Sequence, residues 1–309
     1  MPQAIVPTQV EWNSALLEDI TWQLRRRYSF LRVSSIGKSV LGRPLYQVSI
    51  GTGPRRVGYN ASHHANEWIT TPVLMKFLEQ FAMGVRNRGY LNGVSCRRLF
   101  DLYTLDVVPM LNPDGVDLVT GYIKKGDAAY EKAQKIAAEF PRIPFPSGWK
   151  ANIEGYDLNL AYPAQWERAK EIKFAQGFTR PAPRDYVGPT PLAAPESRAL
   201  YERARAANYR LVLAYHTQGK LIYWDFDNMR PEGSYELAQR MAEASGYTVS
   251  IPPFESSAAG YKDWFIQDFN RPGYTIEAGR GQNPLPLSQF DEIYRDNLGI
   301  LLLGMLGVK

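Results

Sequence analysis

Short β-rich segments alternate with helical segments along most of the chain, and this alternation limits the choice of fold more than any other feature. Runs rich in branched and aromatic residues predict strands at residues 31–36, 45–50, 56–60, 102–109, 211–215, 221–224 and 273–276. Apolar spacing predicts helices at residues 14–28, 70–85, 127–140, 196–208, 234–245 and 287–306. Such alternation favours an α/β fold, with a mixed, mainly parallel sheet and helices on both faces.

We predict one domain for the whole chain. A length of 309 residues suggests about two domains, but α/β enzymes of this size often form one compact unit. Apolar residues make up 45% and charged residues 22%, which excludes a disordered chain and a coiled coil. Since no internal repeat or linker is visible, the predicted domain spans residues 1–309, with an N-terminal helical segment at residues 1–30. Residues 116–195 are expected to be irregular apart from one charged helix.

Charge, cysteine content and the N-terminus narrow the expected partners and compartment. Lys and Arg exceed Asp and Glu only by 36 to 31, and no nucleic-acid motif accompanies this excess, so we expect no nucleic-acid partner. The longest strongly apolar stretch, residues 300–306, is too short to cross a bilayer, and we expect no membrane partner. The single cysteine, Cys96, excludes an intramolecular disulfide and any cysteine-cluster metal site. No export signal is visible, which predicts a cytoplasmic protein, or a secreted or wall protein if a leader precedes this sequence.

All three histidines follow predicted strands, where sites form in open α/β sheets. The run from His64 to Glu67 brings an imidazole and a carboxylate within reach of one cation, although such a pair alone is weak evidence. His216 would complete the two-histidine, one-glutamate set of catalytic zinc sites, which leaves one position for water. We interpret His63 as a packing neighbour, because one turn rarely presents two adjacent side chains to the same metal.

Glu277 supplies a fourth group at a predicted strand end. A carboxylate beside the metal, but not on it, is suited to take a proton from a zinc-bound water. The sequence therefore predicts one zinc ion per chain with a catalytic carboxylate next to it.

Several motifs occur in a fixed order between about residues 33 and 303. They are His64-x-x-Glu67, Asn112-Pro113-Asp114-Gly115, Asp157-x-Asn159, His216 after a strand, Asp263-Trp264 and Glu277 on a late strand. In these motifs the chain resembles the zinc carboxypeptidase family. The resemblance implies that His64, Glu67 and His216 bind zinc. It also implies that Glu277 acts as general base and then acid, and that Asp157 orients a metal-bound histidine.

The residues expected to contact substrate depart from the digestive members of this family. Asn159 is followed by Leu160, where those members have an arginine that binds the terminal carboxylate of a peptide. Lys150 follows a tryptophan at the position of the arginine that polarises the scissile carbonyl, so we expect it to replace that cation. Asn66 stands where the family often has arginine, and Tyr261 lies near the position of the family's mobile tyrosine.

These departures are similar to the branch that contains γ-D-glutamyl-L-diamino acid (meso-diaminopimelate) endopeptidases, which act on bacterial wall peptides. The similar stretches are Trp149-Lys150-Ala151-Asn152, Gly155-Tyr156-Asp157-Leu158-Asn159, Pro183-Arg184-Asp185-Tyr186, Gly260-Tyr261-Lys262-Asp263-Trp264 and Asn283-Pro284-Leu285-Pro286. Lys262 occupies the position that sets side-chain preference in the wider family, and a cation there suits a carboxylate-bearing residue. Asn159, Arg184 and Tyr261 are further candidates for substrate contacts, and Arg280 is a weaker one.

The resemblance therefore implies a zinc peptidase that hydrolyses the γ-D-glutamyl–diamino acid bond of murein peptides, without a separate wall-binding module. The nearest alternative is a metallocarboxypeptidase that releases acidic C-terminal residues, with Lys262 binding the side chain. From a different class, an inactive zinc-containing module could capture wall peptides without cutting them, but the presence of Glu277 argues against it. The sequence does not indicate an oligomeric state.

Overall fold

A computed structural model describes residues 4–308 and contains a central eight-stranded sheet. In chain order the strands are β1 (Arg32–Lys38), β2 (Pro44–Ile50), β3 (Arg55–Ala61), β4 (Tyr90–Leu91), β5 (Val94–Ser95), β6 (Tyr103–Val108), β7 (Leu211–His216), β8 (Leu221–Tyr223), β9 (Thr248–Ser250) and β10 (Gly273–Glu277). Strands β4 and β5 form a separate hairpin. The predicted domain limits of residues 1–309 include residues 1–3 and 309, which lie outside the described part of the chain.

The sheet is mixed and mainly parallel, which confirms the predicted fold class. Its strand order is β1-β2-β6-β3-β7-β10-β8-β9, with parallel pairing of β6 with β3, β3 with β7, β7 with β10, and β8 with β9. The antiparallel pairings are β1 with β2, β2 with β6, and β10 with β8. Strands β3, β7 and β10 therefore end side by side at one edge, and the side chains that follow them meet there.

Helices cover both faces of this sheet. They are α1 (Ser14–Arg27), α2 (Thr70–Asn87), α3 (Cys96–Leu102), α4 (Pro113–Val119), α5 (Ala128–Ala138), α6 (Trp166–Ala175), α7 (Pro195–Ala207), α8 (Ser234–Ser245), α9 (Tyr261–Phe269) and α10 (Phe290–Leu306). Leu213 lies in the core cluster built with α1, α2, α8 and α10, whereas Val212 and Ala214 lie in the cluster built with α7 and α9. Alternate residues of one strand thus face opposite sides, and burial of both faces explains why the central strands are apolar throughout.

The structure contains four helices that the sequence pattern does not predict, namely α3, α4, α6 and α9. The turn predicted at Asn112 is the start of α4, because the Asn112 side chain accepts a hydrogen bond from the Gly115 amide and Pro113 takes the first helical position. Helix α6 lies inside the stretch expected to be irregular, and it buries only three residues, Trp166, Ala169 and Lys173. Such a short buried side, which includes a lysine, gives little apolar periodicity to detect.

The N-terminal helix is fixed to the domain at its first turn. Asn13 caps α1, and the Ser14 amide and hydroxyl donate to the two carboxylate oxygens of Asp117 at 2.7 and 2.6 Å. Arg43 lies 2.8 Å from the same carboxylate. Within residues 4–308, no helix has both the length and the apolar composition needed to cross a membrane.

Candidate metal and catalytic site

The site forms at the carboxyl ends of three neighbouring parallel strands. His64 comes three residues after the end of β3, and His216 is the last residue of β7. Glu277 is the last residue of β10 and lies opposite His216 in the strand register. Each of these strands extends one residue beyond its predicted end, so the two side chains are held by sheet hydrogen bonds rather than by a loop.

The segment after β3 is held by the side chain of Asn112. Its amide nitrogen donates to the His63 carbonyl at 3.1 Å and to the Ala151 carbonyl at 3.0 Å. A short 3₁₀ turn, Ala65–Glu67, then brings Glu67 back toward His64. The Asn112 motif therefore has a structural role, which is to join the segment after β3 to the loop that carries Lys150.

His64, Glu67 and His216 form one buried group that could hold a metal ion. The Nδ1 atom of His64 lies 3.0 Å from Glu67 Oε1, the Nδ1 atom of His216 lies 2.9 Å from Glu67 Oε2, and the two Nδ1 atoms are 3.2 Å apart. One donor atom from each residue lies within 4.8 Å of the others. Two imidazole nitrogens and one carboxylate are the donor set of catalytic zinc sites, and they leave one coordination position open.

Two further residues contact the histidine rings: Asp157 contacts His64, and His63 contacts His216. The Nε2 atom of His64 lies 3.1 Å from Asp157 Oδ1, so its Nδ1 atom is directed at the other two donors. His63 is outside the donor group: its ring stacks on His216 with centroids 5.4 Å apart, and its Nε2 atom lies 3.1 Å from the Tyr162 hydroxyl. This placement agrees with its interpretation as a packing neighbour.

The electrostatics of the donor group favour a positive charge. Burial alone would lower the pKa of His64, but the carboxylates of Glu67 and Asp157 outweigh burial and raise it to about 9. Burial would raise the pKa of Glu67, yet His64 and Lys150 hold it well below its usual range. The two carboxylates thus stabilise a cation at this point, and either a proton or a metal ion supplies that charge.

Lys150 and Glu277 face the donor group. The Lys150 ammonium lies 3.0 Å from Glu67 Oε1, and the Lys150 carbonyl accepts a hydrogen bond from the Ala65 amide at 3.0 Å. Burial disfavours the charged lysine, but the Glu67 carboxylate outweighs burial and raises the Lys150 pKa. Burial and the negative charge of Glu67 raise the pKa of Glu277 to about 8, a value typical of a group that both takes and returns a proton near neutral pH.

Two connected cavities open from this centre. The first, here called the deep pocket, has a volume of about 230 Å³ and is lined by Asn159, Lys262, Asp263 and Thr275, among others. The second, here called the outer lobe, has a volume of about 510 Å³ and is lined by Asn66, Arg142, Ser147, Gln282 and Asn283, among others. Lys150, Arg184, Tyr223 and Glu277 line both cavities. The predicted catalytic groups, Lys150 and Glu277, therefore lie where the two cavities meet.

Three of the four predicted substrate contacts, Asn159, Lys262 and Arg184, line the deep pocket. The Lys262 ammonium is buried, lies 2.5 Å from Asp263 Oδ1 and donates to the Asp225 carbonyl. Arg184 lies 2.6 Å from Asp185.

Tyr261, the fourth predicted contact, lies behind the pocket rather than in its wall. Its side chain is 1% exposed, and the ring packs on His63, Tyr162 and Trp264. Burial of this ring leaves it no surface for a substrate. Arg280 is exposed and is absent from the walls of both cavities.

The site also contains residues to which the sequence assigned no role. Lys173 is buried in the deep pocket and lies 2.7 Å from Asp185, and Asn283 donates to the Thr217 carbonyl and approaches Glu67 Oε1 at 3.4 Å. Arg142 lies in the proline-rich stretch expected to be irregular. For Asn283, a signal was present in the similar stretch that begins with it; for Lys173 and Arg142, no local pattern marks a site.

Comparisons with known proteins agree with this geometry. A model of the zinc carboxypeptidase family matches residues 17–299, so the chain belongs to the zinc carboxypeptidase family. It is a zinc metallopeptidase, and thus a hydrolase. Among its relatives, γ-D-glutamyl-L-diamino acid endopeptidase 1 of Lysinibacillus sphaericus is 45% identical over 94% of this chain and 71% of its own length. An uncharacterized protein of Bacillus subtilis (strain 168) is 40% identical over 89% of this chain and 72% of its own length.

The fold is also that of solved carboxypeptidases. The crystal structure of thrombin activatable fibrinolysis inhibitor superimposes with a TM-score of 0.77, covering 99% of this chain and 77% of that protein at 16% identity. At this identity the likeness concerns the fold alone.

Proposed function

We propose that His64, Glu67 and His216 bind the zinc ion of this peptidase. Their close, buried donor atoms support this assignment, as does the contact of His64 with Asp157. When bound at such a site, zinc polarises a carbonyl and lowers the pKa of a coordinated water toward ~7.

The chain's own residues carry the proton and charge movements of this proposal. Glu277 takes a proton from the attacking water and passes it to the departing amine, so one carboxylate serves as base and then as acid. Lys150 stabilises the negative charge that develops on the carbonyl oxygen, since its ammonium lies at the junction of the two cavities beside Glu67. The bond between the carbonyl carbon and the amine nitrogen breaks, and the products are a carboxylate and a free amine.

We further propose that the substrate bond joins γ-D-glutamate to a diamino acid in peptidoglycan peptides. The observation that carries this proposal is the 45% identity, over most of both chains, to an enzyme named for that bond. The hydrogen-bond donors of the deep pocket support it, because Lys150, Lys173, Arg184 and Lys262 line one small cavity, each beside an acidic side chain. A diamino acid such as meso-diaminopimelate carries extra carboxylates that suit such a wall. Lys262 and Asn159 are then contacts for the diamino acid.

The test compares two peptides. L-Ala-γ-D-Glu-meso-diaminopimelate should be cleaved to L-Ala-D-Glu and free diaminopimelate, detected by mass spectrometry. An ordinary α-linked peptide that ends in glutamate should be cleaved far more slowly. The reverse preference would support the alternative, a metallocarboxypeptidase for acidic C-terminal residues. Binding of the tripeptide without turnover by the zinc-loaded protein would instead support the inactive capture module.

A cytoplasmic location is part of the same proposal, in which the enzyme processes peptides released from the wall. Fractionation of cells that express the protein, with an activity assay of each fraction, tests it. Activity in the medium or in the wall fraction would point to wall trimming instead.

A further inference from the structure

The cations that line the cleft differ in one respect, which is whether an acid lies beside them. Lys150 lies 3.0 Å from Glu67, and Lys173 and Arg184 lie 2.7 and 2.6 Å from Asp185. Lys262 lies 2.5 Å from Asp263. Within residues 4–308, Arg142 is the cation in the walls of these two cavities that forms no ion pair. Its five N–H donors are therefore free to bind an anion that enters the outer lobe.

The loop that carries Arg142 is tied to the metal-binding segment. The Gly148 amide donates to the Pro144 carbonyl at 2.7 Å, which closes a turn next to Arg142. The side chain of Asn66, the neighbour of Glu67, donates to the Ser147 carbonyl at 3.2 Å. The loop that carries Arg142 is thus joined to the metal-binding segment at Ser147, five residues after Arg142.

The two cavities differ in which half of a substrate they can take. The deep pocket ends in buried side chains, since Lys262 is 4% and Asp263 3% exposed. The outer lobe is bordered by the exposed residues Arg142, Ser147 and Gln282, so a chain can continue from it into solvent. A pocket that ends in buried side chains suits the single residue on the amine side of the bond, and the lobe bordered by exposed residues suits the acyl side, where the peptide continues.

A γ-linked glutamate carries a free carboxylate on that acyl side. Its side-chain carboxyl forms the scissile bond, so its α-carboxylate is free and lies four covalent bonds from the carbonyl carbon, about 5 Å away when extended. A residue without an acidic group at this distance, or the same glutamate with its α-carboxylate converted to a carboxamide, has no charge there. A cation in the outer lobe therefore favours a substrate whose acyl side carries this carboxylate.

We propose that Arg142 is a substrate-binding residue of the outer lobe, where it binds the free α-carboxylate of the γ-linked glutamate. This inference rests on the proposed function, because it takes the γ-D-glutamyl bond as the one cleaved. The guanidinium fork can bind both carboxylate oxygens, and an amide at the same place offers only one acceptor oxygen.

The experiment compares two enzymes, the wild type and the Arg142→Gln variant, on two substrates. The substrates are L-Ala-γ-D-Glu-meso-diaminopimelate and its analogue with the α-carboxylate converted to a carboxamide. The wild-type enzyme should prefer the acid by roughly 10- to 100-fold in kcat/KM, mainly through KM. The Arg142→Gln variant should lose this preference because it cleaves the acid more slowly, while its rate on the amide stays near that of the wild type. Arg142→Lys should recover part of the preference.

The controls separate failure of this inference from failure of the proposed function. Arg240→Gln, a change at an exposed arginine on α8, should leave the wild-type preference intact. If the zinc-loaded wild-type enzyme cleaves neither substrate, the proposed function is wrong. If it cleaves the acid and Arg142→Gln retains the full preference for it, the proposed function stands and the role of Arg142 is wrong. Loss of the preference in Arg184→Gln alone would transfer the role to Arg184 and would equally overturn the inference.

Discussion

Glu277 and His216 are register partners at the ends of the parallel strands β10 and β7. Neighbouring strands lie about 4.8 Å apart, so this pairing holds the glutamate beside the metal-binding group and not within it. The carboxylate of Glu67 already occupies the third donor position. The strand register therefore separates two carboxylates into two proposed tasks, one that binds the metal and one that moves protons.

We expect Glu277→Gln to lose hydrolysis of the γ-D-glutamyl tripeptide while it keeps its zinc. A glutamine has the same shape but cannot accept the proton of the attacking water, so kcat should fall by roughly 10²- to 10⁴-fold. Zinc content, measured by inductively coupled plasma mass spectrometry, should stay at one ion per chain. Glu236→Gln, a change on α8, serves as the control. Turnover close to wild type in the zinc-loaded Glu277 variant would refute the assignment.

Zinc binding at pH 7.5 should release at least one proton, the one that His64 holds in the metal-free protein. The pKa of His64 is raised to about 9 in the metal-free protein, so its ring is protonated at this pH and must lose a proton before it binds a metal. The pKa of His216 is lowered, mainly by burial, so that ring is already neutral and contributes no proton. Isothermal titration in buffers of different ionisation enthalpy measures the release. An observed enthalpy that does not depend on the buffer would contradict this prediction.

The variant Asp157→Asn should weaken zinc binding by roughly 10- to 100-fold without unfolding the protein. Its carboxylate contacts His64 Nε2 at 3.1 Å and accepts the Asn159 and Asp185 amides, and an amide side chain keeps only one acceptor oxygen for these partners. A competition titration with a zinc chelator gives the dissociation constant. At saturating zinc, activity should largely return. Asp127→Asn, a change at an exposed residue before α5, should have no effect, and equal affinities for both variants would rule out the positioning role.

Glu196 should make stability depend on pH in a direction opposite to that of most carboxylates. It is fully buried, and burial raises its pKa to about 7, although it accepts hydrogen bonds from the Val40 amide and from Asn152. In the unfolded chain its pKa returns to about 4.3, so the folded state loses stability as the pH rises from about 4.3 to 7. The loss is complete above pH 7 and absent below pH 4.

We therefore expect Glu196→Gln to gain stability over the wild type, by about 3 kcal/mol more at pH 8 than at pH 5. Urea unfolding at the two pH values measures this difference in the free energy of unfolding. The control is Glu202→Gln, a change at an exposed residue of the same helix. It should change the free energy of unfolding by the same small amount at both pH values. A Glu196 variant that behaves like this control would show that the wild-type carboxyl titrates normally.

The sequence predicted those parts of the fold that have a regular apolar pattern. Strands with continuous apolar runs, such as β7, and helices with one apolar side, such as α2, lie within one or two residues of their predicted bounds. Helix α9 was missed because it buries Lys262 next to Asp263, and a buried ion pair inside an apolar helix hides the helical period.

The site was predictable to the extent that its residues follow strands. His216 and Glu277 are the last residues of their strands, His64 and Glu67 follow β3, and the sheet topology brings the ends of these strands together. The contact between His64 and Asp157 joins residues far apart in sequence through an irregular loop, so only the family resemblance suggested it. Arg142, Ser147 and Gln282 of the outer lobe belong to no such motif, because they lie in loops whose course depends on tertiary packing.

The side-chain amide of Asn112 joins two segments of the cleft to each other. By holding the carbonyls of His63 and Ala151 on one nitrogen, it ties the metal-binding strand end and the Lys150 loop to a single anchor. We expect a displacement of one segment to carry the other with it. The proposed zinc ligands and the Lys150 ammonium would then keep their spacing when the rim of the cleft moves.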